Sequence, residues 1–238
     1  MALEDGDRVL SYGDVVLFGC DVEPLFQRGG WLTDNLLAFA AIYLKNGILG
    51  KEYDDKICLV FPTLCEMFKY SPASSVELYK EVGLSSNKWC LFMLSDSFHP
   101  GEAFSGSHWC LILFDALARR FRVFDSAVNR RIGCDTLEFI RKLVDFFNVD
   151  EKNSVELFEP CPTMSISGDC GLYVIEYIRV ILQCLKNYFD SSGAEPPDFE
   201  RVETITDEHI QNSRHLWITK LGELYKEQKQ SSCSSETS

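Results

Sequence analysis

Three residues that could form a nucleophilic site occur along the chain in the order histidine, aspartate, cysteine. His108 opens one strongly apolar run, Asp125 closes the next, and Cys170 opens a third. A cysteine attacks as its thiolate, which a helix N-terminus and a nearby imidazolium both favour, and an aspartate orients the imidazole. The three residues therefore predict a Cys-His-Asp site assembled from separate elements of one domain.

Two predicted strands and one predicted helix position these side chains. Trp109–Phe114 and Phe121–Phe124 are apolar runs of strand length separated by a turn, so they are expected to pair as neighbours. His108 then precedes the first strand and Asp125 follows the second. Cys170 begins a helix that is apolar almost all round to about residue 185, which predicts a central buried helix.

Taken singly, each member of this set has a structural explanation. Asp125 is also a suitable turn residue, and Cys170 is also a suitable buried thiol. The prediction of a catalytic site depends on the combination of the three residues.

The remaining periodicity predicts an α+β fold, because helices come first, then a cluster of strands, then helices again. A strand is expected at Trp89–Leu94, and Thr33 is a suitable N-cap for a helix ending near Gly47. The other predicted strands or extended segments are Leu10–Cys20, Ile57–Phe61 and Val155–Phe158, and the other predicted helices are Pro62–Phe68, Ser74–Val82, Asp135–Phe147 and Asp207–Tyr225.

Length and charge narrow the class of protein. The 238 residues predict one domain over residues 1–225, followed by a polar tail at 226–238 that we expect to be disordered. The net charge of −13 argues against nucleic-acid binding, which needs lysine and arginine, and suits a basic macromolecular partner.

Ten cysteines are expected to be reduced thiols. The start, Met1–Gly6, is acidic and carries no secretory signal pattern, so we expect an intracellular protein without disulfides. There is no C-x-x-C pair and there are only four histidines, which argues against structural zinc and leaves no cofactor predicted. Cys58, Cys90, Cys110 and Cys184 lie in apolar runs and are expected to be buried, and no run is long and apolar enough to span a membrane.

The combined motifs resemble a known family, the ubiquitin-like-protein-specific cysteine proteases, also called the sentrin-specific or Ulp family. The resemblance covers about residues 8–225 and is carried by Trp31–Asp34, Ser107–Trp109, Phe124–Ser126 and Gly168–Gly171. It implies a papain-like fold with a central mixed sheet, a buried helix bearing the nucleophile, and flanking helices. Within the family, the compact length and the start Val9–Tyr12 resemble the small single-domain deneddylases.

The resemblance implies a role for each member of the triad. Cys170 is the implied nucleophile, His108 the general base and Asp125 the residue that orients His108. The implied reaction is thiol-dependent cleavage after the C-terminal Gly-Gly of a ubiquitin-like modifier, releasing it from lysines by way of a thioester. Deneddylation is the expected activity, on a modifier bound by a monomeric enzyme, and deSUMOylation is the alternative.

The resemblance also implies a narrow tunnel for the modifier's tail. Trp31 and Trp109 are its implied roof and floor, which admit glycine and exclude larger residues. Each tryptophan alone is equally well explained as a core aromatic. Asp34 is expected either to hold the tail or to complement the dipole of the helix that it begins.

One position departs from the family pattern. The family usually has a glutamine six residues before the cysteine, where its amide donates to the oxyanion, and this chain has Met164 there. The backbone N–H of Cys170 remains as a donor, and Ser165 or Ser167 could substitute if the loop shifts. Losing one oxyanion donor typically costs about 2.7–4 kcal/mol, which is a rate factor of about 10²–10³.

The departure leaves two alternatives to an active protease. One is a weakly active or inactive binder of the same modifier, and the other is an acyltransferase built on the same triad. The intact triad favours the protease over the inactive binder. The tryptophan pair favours a peptide tail over a nucleotide-bearing donor, and no phosphate-binding glycine loop is present in the sequence.

Overall fold

Short strands and longer helices make up the computed structural model, which describes residues 4–71, 76–96, 106–127, 134–150 and 159–235. The strands are β1 (Arg8–Tyr12), β2 (Val15–Phe18), β3 (Ile57–Val60), β4 (Trp89–Ser95), β5 (Trp109–Asp115) and β6 (Arg120–Phe124). The helices are α1 (Gly19–Val22), α2 (Asp34–Ile48), α3 (Pro62–Tyr70), α4 (Val76–Glu81), α5 (Cys134–Phe147), α6 (Cys170–Asp190) and α7 (Asp207–Ser235), with 3-10 helices at Glu23–Phe26, Lys51–Tyr53 and Phe199–Thr204.

The central sheet is mixed and has the strand order β3-β4-β5-β6. β3 runs parallel to β4, whereas β4, β5 and β6 are successively antiparallel. In the β5–β6 register, Leu111 lies opposite Phe124. The N-terminal end of β5 and the C-terminal end of β6 therefore meet at one edge of the sheet, which brings the flanking His108 and Asp125 side by side.

Both faces of the sheet are covered, which explains why β4 and β5 read as continuous apolar runs. Along β4, Leu91 and Met93 pack in a hydrophobic cluster with α2, α6 and α7, whereas Cys90, Phe92 and Leu94 pack in a second cluster with α3 and α5. This alternation follows from the two-residue period of a strand. The sheet therefore sits between two helical layers as a rigid support.

Helix α6 is the predicted buried helix and lies against β5 and α2. Every residue from Cys170 to Ile178 is buried, which accounts for a sequence that is apolar on nearly all sides. The helix ends at Asp190, about five residues beyond the predicted end. Its first residue, Cys170, lies at the end of the helix that carries the candidate site.

The N-terminal segment differs from its prediction. Leu10–Cys20 was expected to be one extended segment, but it contains most of a hairpin of β1 and β2 and the start of α1. Gly13 turns the hairpin with a φ of +57°, a conformation that glycine adopts without strain. Thr33 caps α2 as predicted by accepting the N–H of Leu36, and the helix ends at Ile48, one residue after Gly47.

The prediction of a disordered tail is wrong for residues 226–235, because α7 continues to Ser235 instead of ending near Tyr225. Gln228 gives a physical reason. Its side chain accepts the backbone N–H of Ser11 at 3.1 Å and donates to the carbonyl of the same residue. The polar end of α7 is thereby joined to strand β1.

The predicted strand Val155–Phe158 and the predicted cap Ser74 lie outside the described residues. Cys58, Cys90, Cys110 and Cys184 are buried, as predicted, and are free thiols. Over the described ranges, no helix is both long and apolar enough to cross a membrane, and no cluster of three or more His, Cys, Asp or Glu side chains is arranged to hold a metal ion.

Candidate active site

His108 and Asp125 meet where β5 begins and β6 ends. His108 Nε2 lies 2.5 Å from Asp125 Oδ1, and only 16% and 14% of the two side chains is exposed. The same Asp125 oxygen accepts the N–H of Ala127 at 2.9 Å, which fixes the carboxylate. The aspartate therefore orients the imidazole and leaves Nδ1 as the ring nitrogen available to a thiol.

Asp96, which the sequence pattern does not single out, fixes the backbone around His108. Its carboxylate accepts the N–H of His108 at 2.8 Å and its own N–H donates to the His108 carbonyl at 3.1 Å. Ser107 Oγ also donates to the Asp96 carboxylate. The sequence carries no local signal for this residue. Its place opposite His108 follows from the antiparallel register, in which Ser95 pairs with Trp109.

Cys170 is the first residue of α6 and is buried, with 1% of its surface exposed. Burial lowers the pKa of His108, but hydrogen bonds with Asp125 and Cys170 outweigh burial and raise that pKa to about 10. The imidazolium form is therefore favoured at neutral pH, with the Cys170 sulfur as its partner. The structure thus brings together all three residues of the predicted triad.

The two tryptophans are held by contacts with neighbouring segments. Trp109 Nε1 donates to the Leu32 carbonyl at 3.0 Å, which ties the indole to the residue after Trp31. Trp31 lies against Gly168, where a Cβ would stand 2.5 Å from Trp31 Cδ1. Trp31 is 43% exposed, so the alternative that it is a core aromatic residue does not hold.

Asp34 lies in the first turn of α2, and its carboxylate accepts the N–H of Asn35 at 3.0 Å. This contact fits the dipole-complementing alternative. Thr33, which caps the same helix, donates to Asp21 at 2.8 Å and so fixes the start of α2 beside the Trp31 segment.

Met164 lies in a loop that is attached to the Asp125 segment. Its N–H donates to the Ser126 carbonyl at 2.8 Å, and Cys161 Sγ donates to the Asp125 carbonyl at 3.1 Å. The Met164 side chain is half-buried against the core cluster around α6 and carries no N–H or O–H donor. In the described part of the chain, the backbone N–H of Cys170 makes no hydrogen bond, so it is free to donate to an oxyanion.

Sequence reasoning also missed the partners of Asp169, the residue before Cys170. Arg214 Nη2 lies 2.6 Å from one Asp169 oxygen, and Gln211 donates to the other at 2.9 Å. A signal was present, because Arg214 interrupts the otherwise apolar stripe of Ile210, Trp217 and Leu221 on α7. A charged residue on the inward face of a helix needs a buried partner.

Comparison with known proteins agrees with this geometry. Residues 101–228 match the Ulp1 protease family, C-terminal catalytic domain. The chain belongs to the Ulp1 protease family. This Ulp1-family chain is 26% identical to mouse "Sentrin-specific protease 8" over 92% of its length and 94% of the relative's, and 25% identical to Arabidopsis thaliana "NEDD8-specific protease 1" over 91% and 95%.

A solved structure supports the fold independently. A "SUMO protease Ulp1 with the catalytic cysteine oxidized to a sulfinic acid" superposes with a TM-score of 0.62 at 14% identity, covering 92% of this Ulp1-family chain and 90% of the other. The predicted family, the α+β Ulp-type fold and the cysteine-protease class are confirmed.

Substituting Gly168 tests whether Trp31 must rest on the loop before Cys170. In Gly168→Ala, at a φ of +96°, the new Cβ would stand 2.0 Å from the Gly29 carbonyl oxygen and 2.5 Å from Trp31 Cδ1, so the Trp31 segment must shift. We expect kcat/KM on a fluorogenic modifier ending in Gly-Gly to fall at least about tenfold, since small misplacements at a site are costly.

Gly83→Ala is the matched control, because Gly83 has a φ of +81° and a Cβ there would meet nothing within 4 Å. Both variants should lose about 1–2 kcal/mol of folding free energy from the left-handed backbone, and Gly168→Ala should lose more because of its close contacts with Gly29 and Trp31. An equal loss of activity in the two folded variants would contradict the role assigned to Gly168.

Proposed function

We propose that this Ulp1-family chain is a thiol isopeptidase that cleaves after the C-terminal Gly-Gly of a ubiquitin-like modifier, with a NEDD8-type modifier preferred. The observation that carries the proposal is the pairing of His108 with both Asp125 and Cys170 beside the exposed Trp31. A preformed nucleophile next to aromatic walls suits a slender peptide tail better than a bulky side chain.

The proposed reaction begins with the Cys170 thiolate. Its sulfur attacks the carbonyl carbon of the terminal glycine, a C–S bond forms, and the oxygen becomes an oxyanion that the Cys170 backbone N–H stabilises. His108, as imidazolium, gives its proton to the lysine nitrogen as the C–N bond breaks, leaving a thioester.

Hydrolysis completes the cycle. His108, now neutral, removes a proton from water, and the hydroxyl oxygen attacks the thioester carbonyl. The C–S bond breaks and returns the Cys170 thiolate, with His108 left as imidazolium. The modifier leaves as a carboxylic acid that loses its proton to solvent and becomes a carboxylate. Throughout, Asp125 holds the ring and balances its charge when it is protonated.

The tryptophans account for the proposed choice of glycine. Trp109 is fixed by its bond to the Leu32 carbonyl, and Trp31 is fixed against Gly168, so neither wall moves freely. A tail residue with a Cβ would meet these rings, whereas glycine passes. The proposed specificity is thus steric, and it acts before the chemical step.

The choice among modifiers has support from two sides. Relatives of similar length carry the names "Sentrin-specific protease 8" and "NEDD8-specific protease 1". The net charge of −13 also suits a modifier with a basic face near its tail. The alternative is deSUMOylation, since solved structures with the same fold are SUMO proteases.

We also propose a single catalytic domain that acts as a monomer inside the cell, in the cytoplasm or nucleus. Eight of the ten cysteines are free thiols, which suits a reducing compartment: Cys20, Cys58, Cys65, Cys90, Cys110, Cys161, Cys170 and Cys184.

Activity-based probes test the function directly. NEDD8, SUMO and ubiquitin carrying a C-terminal propargyl group are each incubated with the native protein and with Cys170→Ala. We expect the native protein to capture the NEDD8 probe fastest, and Cys170→Ala to capture none, because the bond forms at that sulfur.

Faster capture of the SUMO probe would instead support deSUMOylation. Tight binding of a modifier without capture by the native protein would identify an inactive binder and contradict the proposed chemistry. Probe capture that persists in Cys170→Ala would mean that another thiol is the nucleophile.

Met164→Gln tests the second oxyanion donor. Glutamine supplies the side-chain N–H that methionine lacks, so kcat should rise, by up to about 10²–10³ if the amide reaches the oxyanion. Met164→Leu keeps the apolar packing without adding a donor and should show no such gain. Equal turnover in the two folded variants would contradict the assignment of residue 164 to the oxyanion region.

A further inference from the structure

Arg214 is a buried cation that joins three segments around the candidate site. Only 3% of this α7 residue is exposed. Its guanidinium lies 2.6 Å from Asp169 Oδ1 and donates to the Pro24 carbonyl at 2.8 Å, with longer bonds of 3.4 Å to the carbonyls of Leu25 and Gly30. One side chain thus contacts both the residue before Cys170 and the residue before Trp31.

The Asp169 carboxylate does not cap helix α6, although Asp169 is the residue directly before it. An aspartate directly before a helix commonly caps it by accepting an N–H from the first turn. Asp169 makes no side-chain cap bond to α6, because both of its oxygens face α7, one on Arg214 and the other on Gln211. The N–H groups that such a cap would bind belong to the second and third residues of the helix, Gly171 and Leu172.

Charge gives a second consequence. A buried carboxylate next to Cys170 would oppose formation of the thiolate by like-charge repulsion. The Arg214 guanidinium balances that charge at 2.6 Å, in a pair whose side chains are 4% and 2% exposed. Removing the cation alone would leave an unpaired buried charge.

The bonds to Pro24 and Gly30 act on the wall of the tunnel. The chain turns tightly there, and a Cβ on Gly30 would stand 2.1 Å from the Pro24 carbonyl oxygen. Trp31 follows directly and rests on Gly168. The guanidinium therefore fixes the segment before Trp31 through Gly30, whereas the Trp109 bond fixes the residue after it, Leu32.

We propose that Arg214 is a positioning residue with two separable effects. Its ion pair balances the Asp169 carboxylate and holds it away from the sulfur of Cys170, and its bonds to the Pro24 and Gly30 carbonyls hold Trp31 for the incoming tail. The second effect rests on the proposed function, whereas the first concerns the thiol alone and is measurable without any modifier.

The test compares Arg214→Lys with Arg214→Met by two readouts: the rate of Cys170 alkylation by iodoacetamide at neutral pH, and KM and kcat on NEDD8 with a C-terminal coumarin. Lysine keeps the positive charge but lacks the planar set of N–H donors of the guanidinium. The alkylation rate should therefore stay within about twofold of native, while KM rises about tenfold. Methionine has neither the charge nor the donors, so KM should rise in the same way and alkylation of Cys170 should slow about tenfold.

Ser213→Ala is the matched control. Ser213 is the neighbouring α7 residue, and its hydroxyl donates to Glu176 of α6 at 2.7 Å. This variant breaks a bond between the same two helices, about two turns from Cys170. We expect a lower unfolding temperature, with both the alkylation rate and KM close to native.

The double variant Asp169→Asn with Arg214→Met guards against misfolding, because it leaves no unpaired buried charge. It should recover most of the alkylation rate but keep the raised KM. A native alkylation rate in folded Arg214→Met, or no recovery in the folded double variant, would overturn the first effect. A native KM in Arg214→Lys would overturn the second.

Failure of the proposed function has a different signature. If the native protein hydrolyses no modifier, the alkylation series still decides the first effect, because iodoacetamide reacts with the thiol directly.

Discussion

The contact between His108 and Asp125 is the interaction on which the rest of the site depends. It exists because β5 and β6 are antiparallel neighbours, so that the residue before one strand and the residue after the other share an edge. Backbone hydrogen bonds between the two antiparallel strands fix the distance between His108 and Asp125. The two helical layers bury the sheet on both faces, which keeps the edge from shifting.

Cys170 is brought to this edge by hydrophobic packing of its helix rather than by backbone hydrogen bonds between strands. Helix α6 is placed by apolar contacts with β5 and α2, and its buried first turn allows little freedom at Cys170. Polar groups then set the detail around the thiol. Asp96 fixes His108, Asp125 fixes the ring, and Arg214 draws the Asp169 carboxylate away. Hydrophobic burial thus sets the distances between elements, and buried hydrogen bonds set the directions of the reacting groups.

The sequence was sufficient to predict those features of the fold and of the site that depend on a local pattern of residues. Apolar run length and order predicted β4, β5, β6 and α6, and the ends of these elements placed His108, Asp125 and Cys170 at element edges. Residues whose importance depends on distant partners were missed. Asp96 matters through the register with β5, and Arg214 matters through a contact 45 residues away in sequence.

The length of α7 shows the same limit. The end of that helix is polar, so periodicity gave no reason to extend it beyond Tyr225, and its contact is with Ser11, 217 residues away from Gln228. A bond between one exposed polar side chain and the backbone of a distant strand leaves no local pattern in the sequence. The choice of modifier is still less accessible from sequence, because it depends on the shape and charge of exposed surface.

The most direct test of this account is an NMR titration of the His108 imidazole in the folded protein, with the resonance assigned by comparison with His108→Gln. The account predicts that the ring stays protonated far above the ordinary midpoint of 6.5, with a pKa of about 10, because Asp125 and the Cys170 sulfur both favour the cation. A midpoint near 6.5 would contradict the stabilisation of the imidazolium by these two partners, and with it the arrangement proposed for the site.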